Sequence, residues 1–188
     1  MKRTIMKPAL FTLVAGLMLS ASIFTSSCKK SSSSTTMTLY DSLGGTTMVA
    51  DPANPSTQIE KGRLGIRSVV DSTIFVIAAD TAINTYFTVL LSEVTHGNTT
   101  GFEALSKNLT DFMCVAVGAK NFSYGGKNMV AAHDPAQNSR ISMKVDNGDF
   151  DEFVNDLVIG AKKNGLSDQL IGRVGAVVNT VRTQVVQR

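Results

Sequence analysis

Histidine and cysteine are the residues of this 188-residue chain whose types could ligate a metal or act as nucleophiles, and there are two of each. Neither histidine belongs to a Ser/His/Asp set or a His-Glu metal motif, and no Gly-rich phosphate loop is present. His96 stands beside a glycine, a setting typical of a solvated loop, and His133 by itself would suit a surface or hydrogen-bonded core position equally well. The sequence therefore offers little for hydrolysis.

Cys28 directly follows an apolar stretch, Ala9 to Ile23, that has the length of an export-signal core and is preceded by Lys2, Arg3 and Lys7. This arrangement resembles the lipobox of bacterial lipoproteins. The resemblance implies a signal peptide over residues 1–27, lipidation at Cys28, a Ser/Thr-rich tether over 28–38 and a domain over 39–188. The protein is then expected in the bacterial cell envelope, lipid-anchored and facing the periplasm or the surface. An ordinary cleaved signal with an incidental Cys28 is the alternative.

Cys114 lies in the apolar run Phe112 to Val117, which favours a buried, unreactive thiol. If Cys28 is acylated, no internal disulfide can form.

The net charge of +3 comes from the leader, because the chain beyond residue 27 has 15 basic and 15 acidic residues. That balance argues against a nucleic-acid partner. The acidic run Asp146 to Glu152 lacks the spacing of an EF-hand and suits a helix N-terminus instead.

Helical periodicity dominates the rest of the chain. One amphipathic helix is predicted over Phe150 to Ala161, ending at Asn164-Gly165, and a second follows Ser167 and runs to Val185. A capping box at Thr100 and Glu103 predicts a third, to about Gly118. The segment Val69 to Ala79 suits a helix or a buried strand, and we take it as a helix because no second strand is apparent to pair with it. The stretches Thr46 to Gln58 and Asp134 to Lys144 are expected to be loops. The prediction is an all-α domain with about five helices of useful length.

Several segments together resemble the group I truncated haemoglobins, and they cover roughly residues 39–186. They are Leu39-Tyr40-Asp41-Ser42-Leu43-Gly44-Gly45, the stretch Gly65 to Asp71, the pair Tyr86-Phe87 after Asp80 to Asn84, the pattern Tyr124-x-Gly126-x-x-Met129-x-x-x-His133, and the last two helices. The resemblance implies a two-over-two helical sandwich, here with an extended N-terminal loop. Two insertions depart from the family, one over Thr46 to Leu64 and one within Asp134 to Lys144.

The resemblance further implies a non-covalently bound haem b with His133 as the proximal ligand of its iron. No Cys-x-x-Cys-His motif for thioether links occurs. The other residues expected around the haem are apolar: Phe87, Ile74, Leu105, Leu109, Phe112, Met129, Val145 and Phe150.

The distal side departs from the family pattern. Ile74 stands where group I members commonly carry a tyrosine, Leu109 where many carry glutamine, and Leu105 at the distal gate. A hydrogen-bond donor there stabilises bound oxygen by about 1 kcal/mol or more. We therefore expect oxygen to be held weakly and carbon monoxide to be affected far less.

Three functions follow. The first is a lipid-anchored globin that binds O2, NO or CO at a five-coordinate haem iron, with no catalytic residue assigned and chemistry limited to NO or redox reaction at the iron. The second is a globin-like structural or interaction module without haem. The third is an electron-transfer haem protein with two axial ligands. A redox partner is not identifiable from the sequence.

Overall fold

A computed structural model describes residues 37–188; the predicted signal peptide, Cys28 and most of the predicted tether lie outside the described residues. Residues 37–188 belong to one compact unit. Its helices are α1 (Leu39–Ser42), α2 (Lys61–Ala79), α3 (Thr88–Thr95), α4 (Thr100–Ala116), α5 (Met129–Ala132), α6 (Asn147–Lys163), α7 (Asp168–Asn179) and α8 (Arg182–Val185). A 3-10 turn spans Asn84–Phe87. Among the described residues, five helices have eight or more residues, which agrees with the prediction of about five helices of useful length.

The segment that suited either a helix or a strand is helical and forms the centre of the domain. In α2, Val69, Val70, Ile74 and Ile77 are buried along one face, while Phe75 is 65% exposed. A strand would have buried alternate residues instead. The buried face of α2 packs mainly against α6 and α4, so three long helices surround the main apolar cluster.

The prediction of a loop over Thr46 to Gln58 is wrong. Strands β1 (Met48–Asp51) and β2 (Asn54–Glu60) pair as an antiparallel hairpin. Only Ile59 of the hairpin is buried, so the alternation that reveals a half-buried strand is missing from its sequence. The Asp51 carboxylate accepts a hydrogen bond from the Ala53 amide in the turn and forms an ion pair with Arg67 of α2 at 2.7 Å. The N-terminal insertion is therefore a hairpin, which is held by the pairing of its two strands and by this ion pair.

Most helix ends follow the predicted signals. Asp146 caps α6 in a capping box with Asp149, and α6 ends before Gly165, whose φ of +74° suits glycine. The Ser167 hydroxyl accepts a hydrogen bond from the amide of Leu170 at the start of α7. However, α7 ends at Asn179, and the short α8 continues to Val185.

The predicted capping box at Thr100 is wrong, although the helix itself is present. The side-chain oxygen of Asn98 accepts hydrogen bonds from the Thr100 hydroxyl at 2.7 Å and from its amide at 3.1 Å. Thr100 is therefore turned towards the preceding loop. Thr99 is the N-cap, and its hydroxyl donates to Glu103 at 2.8 Å.

Two apolar clusters fill the interior of residues 37–188. The larger one contains Cys114, which is fully buried, and burial raises the pKa of its thiol to about 11. The thiol is therefore protonated and shielded, as predicted. The smaller cluster is formed by Ile77, Ile83 and Tyr86.

In this part of the chain no single helix has both the length and the apolar composition to cross a bilayer. Helix α2 and the segment Asn84–Thr95 meet both criteria only together, as a pair bent by 104°.

The close contact between α2 and α6 yields a stability prediction. A Cβ at Gly160 would lie 2.4 Å from the Thr73 hydroxyl oxygen and 2.8 Å from its backbone nitrogen. Gly160→Ala should therefore separate the two helices and lower the free energy of unfolding by about 1–3 kcal/mol. Denaturant unfolding measures this loss.

Gly172→Ala is the matched control, since nothing lies within 4 Å of a Cβ placed there on α7. It should raise the free energy of unfolding by about 0.5–1 kcal/mol through helix propensity alone. Equal effects of the two substitutions would show that the α2–α6 contact is not tightly packed.

Candidate haem-binding site

His133 lies at the C-terminal end of the short helix α5, and its imidazole is oriented by the backbone. Its Nδ1 is 2.8 Å from the carbonyl oxygen of Met129. A carbonyl can only accept, so Nδ1 carries the proton and the lone pair is on Nε2. Burial lowers the pKa of His133 below its ordinary value, and the ring is therefore neutral at pH 7. A neutral imidazole with a backbone-bonded Nδ1 and a free Nε2 is the usual form of a metal-ligating histidine.

Helix α5 is only four residues long and is held by contacts from outside it. Asn128 caps its first turn, accepting a hydrogen bond from the Ala131 amide at 2.8 Å. The Asn138 amide donates to the Ala132 carbonyl at 2.7 Å, and the Gln187 amide donates to the Val130 carbonyl at 2.8 Å. These bonds fix the position of His133 from both the following loop and the C-terminal segment.

The inserted loop after His133 is tied to the rest of the domain, although it contains no helix or strand, as predicted. The Ser142 hydroxyl donates to the Thr85 carbonyl at 2.7 Å, and the Ser142 amide donates to the Tyr86 carbonyl at 3.1 Å. The loop therefore connects α5 to the 3-10 turn that carries Phe87.

An apolar cavity of about 230 Å³ lies between α2, α3 and α4. Three residues predicted to surround a haem, Ile74, Phe87 and Leu105, line it. The other predicted residues do not line it. They belong to the main apolar cluster, which also contains Ile74: Leu109, Phe112, Met129, Val145 and Phe150. Val145 and Phe87 also pack on the smaller cluster.

The apolar lining fits a haem in chemistry, and the neutral His133 imidazole is a suitable iron ligand, although His133 is not among the residues that line the cavity. The cavity volume is below the range of about 300–1,000 Å³ usual for sites that enclose a large organic ligand, so side chains along it must turn outward when a porphyrin enters. Leu105, Leu109, Phe112 and Met129 are only partly buried. Phe150, by contrast, is 2% exposed, and the Arg182 guanidinium lies 4.3 Å from its ring centroid. The partly buried side chains of α4 and α5 are therefore the ones with room to turn outward for a porphyrin.

The histidine of the α3–α4 connection does not line this cavity. His96 is exposed, and its Nδ1 lies 2.7 Å from the Ser92 carbonyl oxygen. Thr99 is the polar residue among those lining the cavity, and its hydroxyl donates to Glu103. Apart from Thr99, the cavity lining is thus aliphatic and aromatic.

A polar cluster that sequence reasoning missed holds the 3-10 turn to α6. The Tyr86 hydroxyl donates to Asp149 at 2.5 Å, and Arg188 donates to both groups at 2.9 and 3.0 Å. Burial and the bond to Asp149 raise the pKa of Tyr86 to about 12. Tyr86 therefore positions the neighbouring Phe87 and is not free to act as a donor in the cavity. No local signal could reveal a contact between residues so far apart in sequence.

Comparison with known proteins identifies the fold. No protein-family model matches the chain. The group 1 truncated hemoglobin of Tetrahymena thermophila is 34% identical over 83 residues, which are 44% of this chain and 62% of that relative. The truncated hemoglobin of Tetrahymena pyriformis superposes with a TM-score of 0.56, covering 81% of this chain and all of that structure at 21% identity. The chain has the truncated-haemoglobin fold.

A second solved structure agrees with this truncated-haemoglobin assignment. The 2/2 hemoglobin of Synechococcus sp. PCC 7002, in a cyanomet state with covalently attached heme, gives a TM-score of 0.56 at 22% identity over 81% of this chain and all of that structure. The resemblance to group I truncated haemoglobins predicted from the sequence is confirmed. Since the chain spans 62% of the curated relative's length, the activity of that relative is carried here only as a proposal.

Proposed function

We propose that this chain is a haem-binding globin that binds a diatomic gas. The observation that carries the proposal is the orientation of His133, whose Nδ1 is bonded to the Met129 carbonyl and whose Nε2 is left as the free ligand atom. The named relatives, a truncated hemoglobin and a 2/2 hemoglobin with heme attached, support the same function. A bound haem would supply the iron at which O2, NO or CO is held.

The chain's own residues would hold the cofactor and exclude water. His133 would ligate the iron, and Ile74, Phe87 and Leu105, which line the cavity, would form part of the apolar surround. Attachment would be non-covalent, as haem b. In support, the cysteine of the globin domain, Cys114, is fully buried and its thiol faces Arg63.

The first test is haem titration of wild type, His133→Ala and His96→Ala. His133→Ala should lose the Soret band of the wild type or bind haem about tenfold more weakly or worse, because second-shell changes alone cost 10–100-fold in metal affinity. His96→Ala should bind like the wild type, since His96 is exposed and outside the cavity.

Other outcomes separate the competing functions. Unchanged haem binding by His133→Ala, together with loss in His96→Ala, would contradict the ligand assignment. A wild type with no Soret band would favour a haem-free structural module. A six-coordinate low-spin ferrous spectrum without added ligand would favour a bis-ligated electron-transfer protein.

The aliphatic distal side predicts fast oxygen release. Ile74→Tyr would introduce a hydroxyl donor into the cavity, and a hydrogen bond worth about 1.4 kcal/mol would slow oxygen dissociation about tenfold. Carbon monoxide should change little because it is much less polar when bound. Stopped-flow displacement of each gas measures both rates, with Ile74→Leu as the apolar control. Unchanged oxygen dissociation in Ile74→Tyr would mean that another donor reaches the iron.

We further propose that the protein is anchored in the bacterial cell envelope through a lipid on Cys28. The position of Cys28 after the apolar leader supports this. Cys28→Ser should shift the protein out of the membrane fraction or leave the leader uncleaved, as seen by fractionation and intact mass. Unaltered attachment and processing would contradict lipidation at this residue.

A further inference from the structure

Three carboxylates meet where the C-terminal end of α2 packs against α6. Asp80 is the C-cap residue of α2, and Glu152 and Asp156 lie one turn apart on α6. One oxygen from each carboxylate lies within 4.8 Å of the other two. None of the three carboxylates is among the residues that line the cavity.

Asp156 is the unusual member because it is buried without a partner. The residue is 2% exposed, and its Oδ2 has no hydrogen-bond partner. Oδ2 of Asp80 is likewise buried and unpartnered, while its Oδ1 accepts from the Ala82 amide at 2.9 Å. Among residues 37–188, no lysine or arginine forms an ion pair with any of the three carboxylates.

A buried carboxylate without a partner is costly, and it is normally neutralised by a proton or by a cation. Burial, followed by the charges of Asp80 and Glu152, raises the pKa of Asp156 to about 6. A cation between the three carboxylates would satisfy all of them at once.

We propose that Asp80, Glu152 and Asp156 form a binding site for a hard divalent cation, Ca²⁺ or Mg²⁺, at the junction of α2 and α6. Such cations prefer carboxylate oxygens, and Ca²⁺ takes them at 2.3–2.6 Å. Three oxygens within 4.8 Å of one another can therefore surround one ion, with water completing its coordination.

A cation at this site would stabilise the fold. It would join the end of α2, from which the chain continues into the 3-10 turn, to the middle of α6. Between the two acidic residues of α6 lies Phe153, which packs on the smaller apolar cluster of Ile77, Ile83 and Tyr86. Cation binding would thus stabilise the part of the domain next to Phe87.

The test uses the full chain, treated with EDTA and then given CaCl2 or MgCl2 separately at constant ionic strength. The melting temperature of the wild type should rise by about 5–10 °C at a hundredfold excess over the dissociation constant. Titration calorimetry should show one ion per chain.

Asp156→Asn removes the buried charge with almost no change in shape and should abolish the rise in melting temperature. In EDTA this variant should melt at or above the temperature of the wild type, which shows that it folds. Asp168→Asn is the matched control, because its side chain is 92% exposed on α7, and it should keep the full response. No response of the wild type to either cation, or an equal response of Asp156→Asn, would overturn the proposal.

Discussion

The hydrogen bond from His133 Nδ1 to the Met129 carbonyl is the interaction on which the proposed chemistry depends. It fixes the tautomer and leaves Nε2 as the only ring nitrogen with a free lone pair. The bond exists only while α5 keeps its single turn, and four residues are too few for a helix that is stable by itself. Asn128, Asn138 and Gln187 supply the missing stability from outside the helix. The inserted loop and the C-terminal segment therefore belong to the site, although neither lines the cavity.

The long helices enclose an apolar cavity between α2, α3 and α4. Contact between α2 and α6 is close because Gly160 lets the helices approach at Thr73. The same junction also brings Asp156 of α6 near Asp80 of α2, and this closeness buries a carboxylate without a partner. Tight packing and the electrostatic cost of the acidic cluster thus have one structural cause. A bound cation would relieve that cost without loosening the packing.

Sequence patterns predicted the long helices because helical periodicity is a local signal, and it located α4, α6 and α7. The candidate ligand was predicted from the resemblance of the run from Tyr124 to His133 to the group I truncated haemoglobins. The hairpin was missed since its strands are polar and bury only Ile59. In the sequence pattern, Asp156 is an ordinary polar position on an amphipathic helix, and only the tertiary packing shows that it is buried. The bond between Tyr86 and Asp149 joins distant parts of the chain and leaves no trace in either local sequence.

The most direct measurement of the central claim is a crystal structure of the ferric, haem-loaded protein. The account predicts that Nε2 of His133 lies about 2.0–2.1 Å from the iron, the length of a typical metal–imidazole bond. Nδ1 should still lie within hydrogen-bond distance of the Met129 carbonyl oxygen, and Leu105 and Leu109 should have turned aside for the porphyrin. An iron ligated by His96 or by another side chain, with His133 facing solvent, would contradict it.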